Sequence, residues 1–177
     1  MRTPFALATV ALVAGCAGMG GGGMAADVHT ITLRGADGAT VGTALLRPGT
    51  DGVQVTLSVN GLPPGTHGVH LHQAGRCDRP DFASAGGHLN PASKQHGLQN
   101  PQGPHAGDLP NLVVDANRRG ALTGTARGTT LEGSAANSLR KPGGTALVIH
   151  ASADDQVTDP SGNSGARIAC GVISAHG

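Results

Sequence analysis

Apolar and polar residues alternate along most of the chain after residue 27, and this period of two is typical of half-buried β-strands. The clearest case is the segment 52–59, where Val53, Val55 and Leu57 share one face and polar residues occupy the other. Further strands are predicted over residues 28–34, 41–47, 112–114, 121–126, 145–150 and 167–174, and one more ends in His70 and His72. No segment has a convincing helical period. The pattern predicts an all-β domain of about eight short antiparallel strands in a sandwich or barrel.

The composition supports one small domain with an aliphatic core. The chain has 177 residues, 30 of them glycine, and it contains neither Trp nor Tyr. Leu, Ile, Val and Phe make up only about a fifth of the residues, so the core must be narrow and built with tight turns. The formal net charge is +1, which gives no indication of a nucleic-acid partner or of a charged membrane-binding surface.

The first 27 residues have the composition of an export signal followed by a tether. Residues 1–15 combine one Arg with a short apolar run, which is typical of a secretory signal peptide. The run VAGC at 13–16 resembles a bacterial lipobox, so Cys16 is the expected lipidated N-terminus, and 16–27 is a Gly-rich tether. An ordinary signal peptide cut somewhat later remains the alternative. We therefore expect a domain over 28–177 in the periplasmic cell envelope, with membrane contact only through the lipid.

The cysteine count predicts one disulfide. If Cys16 carries lipid, Cys77 and Cys170 remain as an even pair in an oxidising compartment. A bridge between them would close a loop of about 94 residues, worth roughly 4–5 kcal/mol in the loop-entropy account. The bridge would also attach a long loop to the last strand.

A histidine-rich segment dominates the middle of the chain. Residues 67–108 hold six of the nine histidines, and much of this segment is Gly, Pro, Asn and Ser without apolar periodicity. His70 and His72 point to the same side of their strand, because side chains alternate along a strand. His67 has the opposite parity and is read as a packing or hydrogen-bonding residue. A loop this long in a small domain needs something besides an apolar core to order it, and metal coordination is the obvious candidate.

Six short motifs resemble copper/zinc superoxide dismutases in order, spacing and flanking residues. They are HLH at 70–72, GGHLNP at 86–91, KQHG at 94–97, HAGDL at 105–109, LVIH at 147–150 and GARIACGVI at 165–173. The resemblance extends over roughly residues 28–174. It implies an eight-stranded Greek-key sandwich with long metal-binding loops that hold copper and zinc outside the sheet. It also implies an enzyme that converts superoxide to dioxygen and hydrogen peroxide.

The resemblance assigns individual residues to the two metals. Copper would be bound by His70, His72, His88 and His150, and zinc by His88, His96, His105 and Asp108. Four imidazoles suit a copper ion that changes oxidation state, whereas three imidazoles and a carboxylate suit a closed tetrahedral zinc site.

Three residues have further roles by the same resemblance. His88 would bridge the metals and handle a catalytic proton. Asp154 would accept hydrogen bonds from two ligand histidines, His70 and His96, and so couple the sites. Arg167 would attract and orient the superoxide anion.

Some questions stay open at this point. A metal carrier without catalysis and a copper-only dismutase are the rival functions, although the chain has Arg167, lacks a CxC transfer motif and retains all the zinc-type ligands. The segment 151–166 contains three Asp but no Lys, so its part in steering superoxide is in doubt; Arg76, Arg79 and Lys94 are possible substitutes. Phe82 is the only aromatic residue outside the signal, which excludes an aromatic dimer contact and leaves monomer or homodimer undecided.

Overall fold

The computed structural model describes residues 28–175. The signal peptide, Cys16 and the Gly-rich tether fall outside these residues and stay predictions. Within the described range, no helix is long and apolar enough to cross a membrane.

The described chain forms nine antiparallel strands in one barrel-like sheet, which confirms the all-β class. The strands are β1 His29–Gly35, β2 Thr40–Pro48, β3 Gly52–Asn60, β4 Gly65–His67, β5 Val69–His72, β6 Leu112–Val114, β7 Arg119–Arg127, β8 Thr145–His150 and β9 Arg167–Ile173. Their spatial order is β4-β6-β7-β3-β2-β1-β9-β8-β5. One short 3₁₀ turn, Ala83–Ala85, interrupts the long loop between β5 and β6.

The ninth strand arises because the predicted strand ending in His72 is divided at Gly68. β4 pairs with β6 and β5 pairs with β8, at opposite ends of the strand order, so one residue joins the two edges of the sheet. The Gly68 N–H donates to the carbonyl of Ser152, and its own carbonyl accepts the N–H of His150. A Cβ at this position would lie 2.8 Å from the Cβ of Ser164. The closure therefore requires glycine here.

The core lies inside the barrel and follows the predicted alternation. Val53, Val55 and Leu57 are fully buried, while the polar side chains between them are exposed or half-buried. Val69 and Leu71 of β5 belong to the same cluster. Since neighbouring side chains point to opposite faces of a strand, β5 turns His70 and His72 away from the core.

The predicted disulfide between Cys77 and Cys170 is confirmed, with the two Cα atoms 5.7 Å apart and 93 positions apart in sequence. Next to it, Phe82 and Ala85 pack on the outer side of β8 and β9 in a second, smaller apolar cluster. The bridge and this cluster together hold the loop against β9.

Candidate metal centre

The long loop is ordered by backbone hydrogen bonds to the edge strand β5. Leu71 donates its N–H to Gly107 and accepts one from Leu89, and Gly107 also donates to Leu89. The loop therefore passes β5 twice, which places His88 opposite His72 and Asp108 opposite His70. β8, on the other side of β5, ends in His150. Residues far apart in sequence are thus gathered on the outside of the barrel.

Two histidines present unprotonated nitrogens to each other. The Nδ1–H of His72 donates to the carbonyl of Gly86 at 2.8 Å, and that of His150 donates to Gly165 at 3.0 Å. With Nδ1 protonated in each neutral ring, Nε2 carries a lone pair. These two Nε2 atoms lie 3.4 Å apart. Two lone pairs facing each other in a buried site is an arrangement that suits a shared metal ion.

His70 adds a third nitrogen without a partner. Its Nε2–H donates to Asp154 Oδ2 at 2.7 Å, whereas its Nδ1 is buried and has no hydrogen bond. Buried polar atoms are rarely left unpaired, and a metal ion would satisfy this one. Potential ligand atoms of four histidines lie within 4.8 Å of one another: His70, His72, His88 and His150. The residues present therefore fit the copper site that the resemblance implies.

A second set of atoms surrounds Asp108. Its Oδ1 lies 3.1 Å from Nδ1 of His88, 3.0 Å from Nδ1 of His96 and 3.3 Å from Nδ1 of His105. Nδ1 of His105 is also 3.3 Å from Nδ1 of His88. Ligands at zinc–nitrogen distances of about 2.0–2.1 Å on a tetrahedron are about 3.3 Å apart. The spacing therefore suits zinc.

Potential ligand atoms of His70, His88, His96 and Asp108 also lie within 4.8 Å of one another. We place His105 in the zinc-side set, because its Nδ1 contacts both Asp108 and His88. His70 has its Nε2 bound by Asp154, and its remaining nitrogen already fits the copper-side set. His88 belongs to both sets, with its ring centroid 4.0 Å from that of His70.

Asp154 contacts one histidine of each set. Its Oδ2 accepts from His70 at 2.7 Å and its Oδ1 accepts from Nε2 of His96 at 3.0 Å, and the side chain is fully buried. Asn111 holds the backbone of Asp154 through two hydrogen bonds, of 2.7 and 2.9 Å. Asn111 was not anticipated, since a single Asn in a loop has no distinguishing sequence signal.

The protonation of the histidines differs between the two sets. Burial, together with the neighbouring imidazoles and Arg167, lowers the pKa of His72 to about 2 and that of His150 to about 3. Burial also lowers the pKa of His88 to about 4. These rings are neutral near pH 7 and ready to coordinate a metal.

His96 shows the opposite shift. Burial disfavours its charged form, but hydrogen bonds to Asp108 and Asp154 outweigh this and raise its pKa to about 9. Hydrogen bonds from imidazoles, led by His105 for Asp108 and by His70 for Asp154, likewise outweigh burial and hold the pKa values of both carboxyls well below the usual range. A cation in the zinc-side set would replace the proton of His96.

Arg167 is attached to the same loop as the copper-side histidines. Its Nη1 donates to the carbonyl of Phe82 at 2.7 Å and its Nη2 to that of Gly86 at 2.6 Å. The Gly86 carbonyl also accepts the hydrogen bond from His72. Partial burial lowers the pKa of Arg167, an effect that Asp81 opposes, but a guanidinium remains charged at neutral pH.

Charged groups around Arg167 are few. A surface depression of about 300 Å³ is lined by Arg167, Asp81, Ala83, Gly165 and Ala166. The three other cations considered as steering groups, Arg76, Arg79 and Lys94, do not line it. Arg76 pairs with Asp78 at the surface, Arg79 lies beside the disulfide, and Lys94 lies on the loop that carries His96 and His105.

The model of the copper/zinc superoxide dismutase family matches residues 40–173. The chain belongs to the copper/zinc superoxide dismutase family. Superoxide dismutase [Cu-Zn] 1 of Aquifex aeolicus is 48% identical over 137 residues, covering 77% of this chain and 81% of that protein. Superoxide dismutase [Cu-Zn] of Caulobacter vibrioides is 39% identical over 148 residues, covering 81% and 84%.

Solved structures agree with this membership. A double mutant of a SOD-like protein from Bacillus subtilis superposes with a TM-score of 0.79 at 44% identity, covering 83% of this chain and 97% of that one. The Cu/Zn superoxide dismutase from Brucella abortus gives 0.65 at 28% identity, covering 84% and 100%. Membership in this dismutase family implies an enzyme that uses copper and zinc, and the histidine groups of this chain fit both ions.

Proposed function

We propose that this chain dismutates superoxide with a copper bound by His70, His72, His88 and His150 and a zinc bound by His88, His96, His105 and Asp108. The observation that carries the proposal is the shared carbonyl of Gly86. It accepts hydrogen bonds from the copper-side ligand His72 and from Arg167. A cation that binds no metal is thereby held at a defined position beside the metal ligands, which catalysis on an anion needs and storage does not.

A copper ion held by these histidines would supply the one-electron redox chemistry of the reaction. The overall reaction consumes two superoxide anions and two protons and yields one dioxygen and one hydrogen peroxide. Arg167 attracts each anion and orients it, because its guanidinium is fixed by two carbonyl acceptors. His88 holds and donates a proton at Nε2, since its Nδ1 is engaged in the zinc-side set.

The surrounding residues keep the ligand rings in place. Carbonyl acceptors orient His72 and His150, and the Asp154 carboxylate orients His70 and His96. Such outer hydrogen bonds select the tautomer of a ligand histidine and raise its basicity. The zinc-side set in turn restrains the His88 ring, so that its Nε2 stays aimed at the copper side.

Metal analysis combined with a superoxide assay tests the proposal. We expect one copper and one zinc per chain, with activity proportional to bound copper. Protein that holds both metals and leaves superoxide unconsumed would instead favour the carrier. Full activity with no bound zinc would favour the copper-only dismutase.

We also propose that Cys16 carries the lipid that anchors the enzyme at the periplasmic side of the envelope, where it removes superoxide. The run VAGC at 13–16 and the pairing of the other two cysteines support this. Replacing Cys16 with Ser should move active enzyme from the membrane fraction to the soluble exported fraction. Wild-type protein already soluble in that fractionation would refute the anchor and favour an ordinary signal peptide.

A further inference from the structure

A cavity of about 540 Å³ lies between the loop that carries His96 and His105 and the end of β7. Loop residues Pro91, Lys94 and Pro104 form one wall, and Arg127 at the end of β7 and Asn137 form the other. This volume falls within the range of small-molecule sites, about 300–1,000 Å³. It is larger than the depression at Arg167 and has no part in the proposed reaction.

The cavity wall is held by hydrogen bonds. Nδ2 of Asn137 donates to the carbonyl of Gly128 at 2.8 Å. The Thr130 N–H donates to the carbonyl of Asn137, and the Thr130 carbonyl accepts the N–H of Leu139. These two bonds tie together the ends of the segment 130–139. The wall that carries Asn137 is therefore braced by hydrogen bonds.

Both charged residues of the cavity are cations. Lys94 and Arg127 approach it from separate segments, and no Asp or Glu of the described residues lines it. Neither cation forms an ion pair with a carboxylate anywhere in residues 28–175. An anion that lies between two cations is attracted by both of them. The charges therefore fit an anionic occupant.

The remaining walls suit a ligand with an apolar body. Pro91 and Pro104 offer no N–H, and two alanines complete the apolar surface. The ring of His105 also lines the cavity; its residue is 6% exposed, with Nδ1 toward Asp108 and Nε2 toward Asp159.

We propose that this cavity binds a small organic anion. Its acidic groups, carboxylate or phosphate, meet Lys94 and Arg127, and its apolar part packs against the two prolines. The guanidinium fork of Arg127 matches either group in a bidentate contact, and Lys94 provides a point charge. The site is separate from the copper side, because no copper-side residue lines it.

Binding can be measured on the copper- and zinc-loaded protein in its reduced, diamagnetic state by amide NMR. Phthalate serves as the organic dianion and inorganic phosphate as the bare anion. We expect phthalate to shift amide signals saturably around Lys94, Arg127 and Asn137. Phosphate should bind several-fold more weakly, because it cannot use the apolar walls. The absence of saturable shifts with either compound would overturn the proposal, and equal affinity for both would overturn its organic part.

Variants make the test specific. Lys94→Gln and Arg127→Gln should each weaken phthalate binding on the order of tenfold, the effect of losing one charge-assisted hydrogen bond. Arg127→Lys should recover part of the affinity by restoring the charge. Arg119→Gln, at the other end of β7, is the matched control and should bind as the wild type does. An Arg127→Gln variant with wild-type affinity, or an Arg119→Gln variant weakened equally, would refute the site.

Discussion

Replacing Asp154 with Asn should weaken both metals at once. The carboxylate accepts one hydrogen bond from the copper-side ligand His70 and another from the zinc-side ligand His96, and water cannot reach either contact. The Asn amide has one acceptor oxygen, and its other end is a donor that would face a ring N–H. One of the two rings therefore loses its partner and leaves a buried N–H unsatisfied, at a cost of about 1–3 kcal/mol.

The size of the loss in metal affinity can be estimated from other residues that hydrogen-bond to metal ligands, as Asp154 does. Their loss typically costs 10–100-fold in metal affinity, which corresponds to about 1.4–2.7 kcal/mol. We expect an effect of this size on the metal whose ligand loses its partner and a smaller one on the other metal, because the negative charge that favours both ligand sets is also removed. Gln156 N–H, which donates to the same carboxylate at 2.6 Å, can still bond to the amide oxygen, so the loop should keep its path.

The assay is competition for each metal against a chelator of known affinity, with circular dichroism to verify folding. Asp155→Asn is the matched control, because Asp155 is exposed and accepts only from residues of its own loop. That control should bind both metals normally. An Asp154→Asn variant with unchanged affinity for both, or with only one metal weakened, would refute the coupling of the sites through this carboxylate.

Three further predictions concern charge, the disulfide and pH. Arg167→Ile should retain both metals and lose on the order of tenfold activity per bound copper, with a smaller difference at high salt; undiminished activity at low salt would exclude a steering role. Replacing Cys77 and Cys170 together with Ser should lower the free energy of unfolding by about 4–5 kcal/mol in the loop-entropy account, so an unchanged denaturation midpoint would contradict it. The free energy of unfolding of the metal-free protein should decrease as the pH falls from about 6.5 toward 4, because unfolding lets three buried imidazoles take up protons. Each of these rings contributes a decrease of up to about 1.4 kcal/mol per pH unit. These rings belong to His72, His88 and His150. His96 acts in the opposite direction, since its raised pKa adds stability that is full below about pH 6.5 and is lost as the pH rises through about 9. Unfolding curves of the chelator-treated protein across this range provide the check, and stability that does not fall between pH 6.5 and 4 would contradict the burial of the three neutral rings.

Much of the scaffold could be predicted from the sequence because its signals are local. Because Val53, Val55 and Leu57 alternate with polar residues, the sequence indicates which face of β3 packs against the core. The spacing of His70 and His72 places both rings on one side of β5, whatever the rest of the chain does. The count of cysteines left a single pair to bridge. The motifs also indicated the family to which the chain belongs.

The tertiary structure alone decided how the sheet closes and how the site is supported. Gly68 divides one predicted strand into two, at a position where Ser164 and Asp154 leave no room for a side chain, and no local sequence pattern indicates that contact. Likewise, the Gly86 carbonyl meets Arg167 across 81 positions of sequence, and Asn111 meets Asp154 across 43. A backbone carbonyl or a single Asn cannot be recognised as functional from its residue type. Its role becomes visible only when folding brings it to the residue that it contacts. A strand's period depends on neighbouring residues, whereas the positioning of this site depends on contacts that the folded barrel creates.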